Sequence, residues 1–178
     1  MRRQFERLLA AAAGDRNWEC QNRAGGECAE KATINISGND GFSSSLLAME
    51  QAHEQAVGDS RYESSEEIEV VSLDDALSDR RPAGRAAYLK VDTQGYEDKV
   101  ISGASSTLRH CLAVELELSL TPLYENQLLI GEMIELMRAS GFHPTHLEPE
   151  FNDPGTGELL QVNGLFQASA RISEPNGG

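Results

Sequence analysis

Apolar residues recur along this chain with two different spacings, and the changes from one to the other mark out the expected elements. Phe5, Leu8, Leu9 and Ala12 fall on one helical face within residues 2–13, and Gly14-Asp15 follows as a stop, so the segment predicts a short amphipathic helix. Residues 18–24 predict a strand, and Thr33-Ile34-Asn35-Ile36 alternates as a strand does. Ser37-Gly38-Asn39-Asp40-Gly41 then gathers residues that tolerate positive φ, which predicts a loop. Residues 50–67 are polar and acidic without an apolar period. They predict a mobile or surface excursion leading into a strand at Ile68-Glu69-Val70-Val71-Ser72-Leu73.

The second half is more regular. Ala86-Ala87-Tyr88-Leu89-Lys90-Val91-Asp92 predicts a largely buried strand ending in an acid, and residues 97–109 a helix. Leu112-Ala113-Val114-Glu115-Leu116-Glu117-Leu118 predicts a second strand, and residues 128–139 a second helix stopped at Gly141. Residues 142–147 and 161–168 predict an antiparallel pair separated by the turn Asn152-Asp153-Pro154-Gly155-Thr156-Gly157. Strands alternating with helices predict an α/β domain whose parallel sheet is covered on both faces. One domain over residues 1–170 is expected, with 37–67 as a loop or insertion and 171–178 as a disordered tail.

Composition narrows the function. Fifteen Lys and Arg against 29 Asp and Glu give a net charge of −14, a surface that repels phosphate backbones and argues against nucleic acid or an anionic membrane as partner. No apolar run approaches the roughly 20 residues of a membrane span. The start of the chain lacks a secretory core, so a cytoplasmic location is expected. Cys20, Cys28 and Cys111 are widely spaced and suggest neither disulfide framework nor zinc ribbon. His143 and His146 flank Pro144 with no cysteine or acid to complete a zinc set, so no metal is expected.

The candidate chemistry sits in Leu89-Lys90-Val91-Asp92-Thr93-Gln94-Gly95-Tyr96-Glu97, where an acid closes a buried strand and a glycine follows just before a helix. Open α/β sheets bind ligands at the carboxyl ends of their strands, which places Asp92 at such an edge. Gly95 lets the backbone turn tightly or approach a ligand. Glu97 opens the next helix, where a negative charge is favourable with or without a ligand, and a turn-forming acid is the plain alternative for Asp92. Glu115 and Glu117 share one face of their strand and can converge in a cleft, the alternative being a solvated sheet rim.

These residues carry a resemblance. The 89–97 segment, Gly103-Ala104, Val114-Glu115-Leu116-Glu117, Leu123-Tyr124-Glu125 and Gly141-Phe142 resemble the FkbM family of S-adenosylmethionine-dependent methyltransferases, as do Asn39 with Ser43-Ser44-Ser45-Leu46-Leu47 and Val71-Ser72-Leu73-Asp74-Asp75 upstream. The likeness extends over residues 5–168. It implies a Rossmann-like methyltransferase sheet, mostly parallel with a C-terminal antiparallel hairpin. Residues 18–24 would be its third strand, the strands ending at Asp92 and near Glu117 its fourth and fifth, and residues 33–36 with 68–73 a β insertion. It also implies S-adenosylmethionine as cofactor and a small molecule or sugar as acceptor, methylated on oxygen. The expected site then has Glu115, Glu117 and Tyr124 on the catalytic side, and Asp92, Gly95, Glu97, Asn39 and Ser44 on the cofactor side.

The chain departs from the family pattern at its start, where Gly25-Gly26 follows the expected third strand and cannot serve as the glycine-rich cofactor turn. The sheet is therefore expected to lack its first two strands, which would leave the fourth as an exposed edge that a second copy or a partner chain could cover. A catalytically inactive remnant acting as a binding or subunit module is the alternative function.

Overall fold

The computed structural model describes residues 2–80 and 87–169. The expected tail at 171–178 and the first residue of the expected strand at 86–92 lie outside them. In chain order the elements are α1 (Arg2–Ala12), β1 (Ala24–Gly25), β2 (Glu30–Ser37), α2 (Gln51–Ala56), β3 (Tyr62–Val71), α3 (Leu73–Ala76), a 3-10 turn (Ser78–Arg80), β4 (Ala87–Val91), α4 (Glu97–Ser102), α5 (Ser105–Leu108), β5 (Cys111–Ser119), α6 (Ile130–Ala139), β6 (Phe142–Asn152) and β7 (Leu159–Ala168). Among the described residues no helix is long and apolar enough to cross a membrane.

The strands form two sheets in a mixed α/β arrangement. The larger has the order β4-β5-β7-β6, with β4 and β5 parallel and β7 antiparallel to both of its neighbours. Three strands thus run one way, and the last strand of the chain is inserted between β5 and β6 in the opposite sense. The smaller sheet has the order β1-β3-β2, with β2 and β3 antiparallel.

Period-two alternation explains the larger sheet. Val91, Val114, Leu116, Leu118, Val162 and Phe166 point to one side, where they pack against Val100, Ile101, Ala104, Leu108, Met133 and Met137 of the α4–α6 region. Among the described residues the opposite face is not covered as the sequence predicts. It carries Tyr88, Lys90, Glu115, Glu117 and Asn163, half-buried or exposed, because these are the polar members of the same alternation.

Other expectations are corrected. Residues 18–24 are not a strand: only Ala24–Gly25 pairs, parallel to β3 and outside the larger sheet, and Trp18 stays 66% exposed. Gln21, Asn22 and Arg23 give that segment no apolar face to bury. The polar stretch 50–67 is ordered into α2 and most of β3. Its strand was illegible because residues 63–67 of β3 are exposed on both faces, held by the β2 ladder rather than by burial. Leu73 opens α3 instead of ending a strand, since the Ser72 hydroxyl accepts from the Asp75 N–H at 3.0 Å and caps the helix. The helix expected over 97–109 breaks into α4 and α5 at Gly103, where a Cβ would stand 2.0 Å from the Gly26 carbonyl oxygen. Asp74 then caps α5 from outside, accepting the N–H groups of Ser106 and Thr107 at 2.7 and 2.6 Å.

A second apolar cluster of Ala56, Leu123, Tyr124 and Leu160, with Leu47, Met49 and Phe151 against it, joins α2 and its preceding loop to the segment after β5. This junction brings the 37–45 loop to the carboxyl ends of β4 and β5.

Candidate active site

Asp92 follows the last residue of β4, and Glu117 lies near the end of the adjacent parallel strand β5. The turn after β4 makes them neighbours. Gln94 donates through Nε2 to Asp92 Oδ1 at 2.9 Å and to Glu117 Oε2 at 2.8 Å. Asp92 is exposed and Glu117 half-buried, at the rim of the polar sheet face. Burial, reinforced by the Asp92 and Glu97 carboxylates, pushes the Glu117 pKa up to about 8.

The turn itself is built from Glu97 and Gly95. Glu97 is buried and accepts through Oε1 from the Thr93 N–H at 2.8 Å, the Thr93 hydroxyl at 3.1 Å and the Gly95 N–H at 3.3 Å. Burial raises its pKa, and the backbone donors oppose the rise. Gly95 has φ +95°, and a Cβ there would come within 2.9 Å of Tyr124 Cβ, so the glycine serves the turn and the packing of that ring. Gln94 is itself left-handed, with φ +56°.

Tyr124 is fully buried and donates to Gln94 Oε1 at 2.7 Å, with the Ser43 carbonyl at 3.4 Å as a longer second acceptor. Burial drives its phenol pKa far up, so the hydroxyl stays protonated. Ser45 completes the junction, its hydroxyl donating to the Gln94 carbonyl at 2.7 Å. Asn39 and Ser44 lie within the loop rather than on the carboxylates. Asn39 accepts from the Ser37 hydroxyl at 2.7 Å and donates to Ser43 Oγ at 2.9 Å, while Ser44 Oγ accepts from the Ser37 N–H at 3.2 Å. His53 is buried beside them, with Nε2 3.3 Å from Ser43 Oγ, its ring edge-on to Tyr124 and its pKa lowered by burial.

Glu115 shares the face of Glu117 but is otherwise engaged. Its carboxylate accepts from the Tyr88 hydroxyl and, at 2.9 Å, from Lys90 Nζ, and the Tyr88 bond followed by the Lys90 bond lowers its pKa. The structure therefore brings together Asp92, Gly95, Glu97, Glu117 and Tyr124, ties Glu115 to β4, and gives Asn39 and Ser44 a place in the adjoining loop. Sequence reasoning named Asn39 with Ser43 to Ser45 as hydrogen-bonding groups at the site mouth, and Ser45 is the one that reaches the turn, but it passed over Gln94, whose left-handed backbone and contacts no sequence spacing reveals. A cavity of about 730 Å³ lies at the other end of the strands, lined by Ile101, Leu108, Cys111, Leu136 and Phe142 among others.

The carboxylate pair, its turn and the tyrosine bonded to that turn all fall within a region that matches a described family. The family model for the methyltransferase FkbM domain matches residues 2–144, which includes every element up to α6 and the start of β6. Comparison with curated proteins and with solved structures finds no match. With most of its length in that match, the chain belongs to the FkbM methyltransferase family.

Proposed function

We propose that this chain is an S-adenosylmethionine-dependent methyltransferase acting on a hydroxyl of a small molecule or sugar, with Glu117 as general base and Asp92 on the cofactor side. The observation that carries the reading is the carboxylate pair held by Gln94 at the carboxyl ends of two adjacent parallel strands, where open α/β sheets bind ligands. The order β4-β5-β7-β6, with β7 reversed, supports a Rossmann-like methyltransferase sheet in which β4 and β5 are its fourth and fifth strands.

S-adenosylmethionine, when bound, supplies a methyl group on a sulfonium and leaves as a neutral thioether. Asp92 suits part of it, an exposed carboxylate that offers acceptors for a pair of hydroxyls and a countercharge for a cation, whereas Gly25-Gly26 does not fit the glycine-rich turn that would approach it. Methyl transfer is an in-line displacement with no covalent intermediate, so the protein's work is to position the acceptor and remove its proton. Glu117 takes the proton that the acceptor hydroxyl loses as its oxygen gains the methyl group. A carboxyl with pKa about 8 holds that proton well but is largely neutral below pH 8, so the rate rises with pH through that value. Glu115, engaged by Tyr88 and Lys90, keeps its charge and serves the sheet face.

Isothermal titration with S-adenosylhomocysteine tests the reading. Binding is expected, weakened about tenfold or more by Asp92→Ala, with acceptor affinity less affected. Absence of heat from the unsubstituted chain would overturn the enzyme reading and favour a binding or subunit module.

A further inference from the structure

We propose that Gln94 is the positioning residue of this site: its amide fixes the Asp92 and Glu117 carboxylates relative to one another, and the Tyr124 hydroxyl anchors the far end of that amide. The inference rests on the methyl-transfer reading for what the carboxylates do, and on geometry alone for how they are held.

The argument is one of matching donors to acceptors. The two carboxylates can only accept while ionised, and the Gln94 amide nitrogen has two hydrogens, directed at Asp92 Oδ1 and Glu117 Oε2 at 2.9 and 2.8 Å. The remaining amide atom, Oε1, receives the Tyr124 hydroxyl at 2.7 Å. Turning the amide over would aim its oxygen at both carboxylates and its hydrogens at the tyrosine. With both carboxyls ionised it is they that select the orientation, since they can only accept, while the buried Tyr124 hydroxyl, able to donate or accept, anchors the far end of the amide. Tyr124 is in turn tied to the loop by its longer contact to the Ser43 carbonyl, and the loop reaches the Gln94 backbone through Ser45.

The backbone supplies independent support. Gln94 occupies the left-handed region at φ +56°, where a side chain with a β-carbon is disfavoured and asparagine or glycine fits better. Asparagine there would relax the backbone, but its amide is one methylene shorter and withdraws from the carboxylates. The strained longer residue fits a demand for reach. The groups that face Glu117 are Asp92 after β4, Glu97 on α4, Glu150 on β6, Gln161 on β7 and Gln94 itself. The amide of Gln94 is the one joining it to Asp92.

The test separates reach from turn formation. The Glu117 carboxyl is titrated by carbon-13 NMR in the unsubstituted chain, Gln94→Asn, Gln94→Met and Tyr124→Phe, with Glu117→Gln to assign the signal and thermal unfolding of each. Loss of the amide donor should raise the Glu117 midpoint by about half a pH unit or more in both Gln94 variants. In Tyr124→Phe a smaller rise is expected, because the amide remains but loses the hydrogen bond that anchors its far end. A Glu117 midpoint unmoved in a folded Gln94 variant overturns the proposal, and if neither Gln94 variant folds, an unmoved midpoint in Tyr124→Phe does so. S-adenosylhomocysteine titration of the unsubstituted chain distinguishes the two claims: a shifted midpoint without ligand binding leaves the positioning role and removes the methyl-transfer reading, and binding with an unmoved midpoint does the reverse.

Discussion

Glu117 concentrates the consequences of the site in one side chain. Its carboxyl titrates at about 8 when folded against an ordinary value of 4.5, so between those values the folded chain holds a proton that the unfolded chain has released. Stability is then highest below pH 4.5 on this account and declines as pH rises through about 8, because the native state binds more protons than the unfolded state. Glu97, also raised by burial, acts in the same direction. Glu117→Gln is expected to flatten the decline, read as unfolding temperatures at several pH values across that window. A variant falling as steeply as the parent would show that Glu117 is not the group responsible. At Gly95 the constraint is steric: Gly95→Ala meets both a φ of +95° and the Tyr124 ring, and should cost about 1–3 kcal/mol in chemical denaturation.

Elements are shaped by contacts that arrive from elsewhere in the chain. The α4–α5 break exists because Gly103 abuts the Gly26 carbonyl and because Asp74 supplies the cap that α5 lacks locally. Asp74→Ala is expected to lower stability by about 1–2 kcal/mol, with a smaller loss in Asp74→Asn, which keeps one acceptor. Equal stability of all three proteins would rule out the cap as a contributor. The same principle sorts what could be read beforehand. β5 was legible because Val114, Leu116 and Leu118 alternate with polar residues and only one face is buried. Residues 63–67 of β3 were not, since a strand exposed on both faces leaves no hydrophobic signature and only its partner β2 defines it.

Across the whole molecule, the two sheets differ in how they are held. β5 is bonded on both sides and buried beneath α4–α6, whereas the far end of the β2–β3 pair exposes its side chains and depends on its own ladder. Hydrogen exchange should accordingly be slowest in β5 and β7 and fastest at residues 63–67 among the β-strands. Uniform protection across both sheets would contradict this division. The candidate site lies where the two parts meet, with carboxylates from the larger sheet and the Ser43–Ser45 loop that follows β2 of the smaller one.

The alternating strands from Tyr88 to Leu118, the final hairpin, and the placing of Asp92 beside a glycine turn follow from local pattern, because side-chain period and turn chemistry act within a few residues, and the family follows from the resemblance of those motifs. The bare polar face, the break in the helix at Gly103, the separate fates of Glu115 and Glu117, and the central place of Gln94 were decided only by the tertiary structure. Each depends on a partner distant in the chain, Gly26, Tyr88, Ser45 or Tyr124, and burial and hydrogen-bond pairing across such distances leave no mark on local sequence spacing.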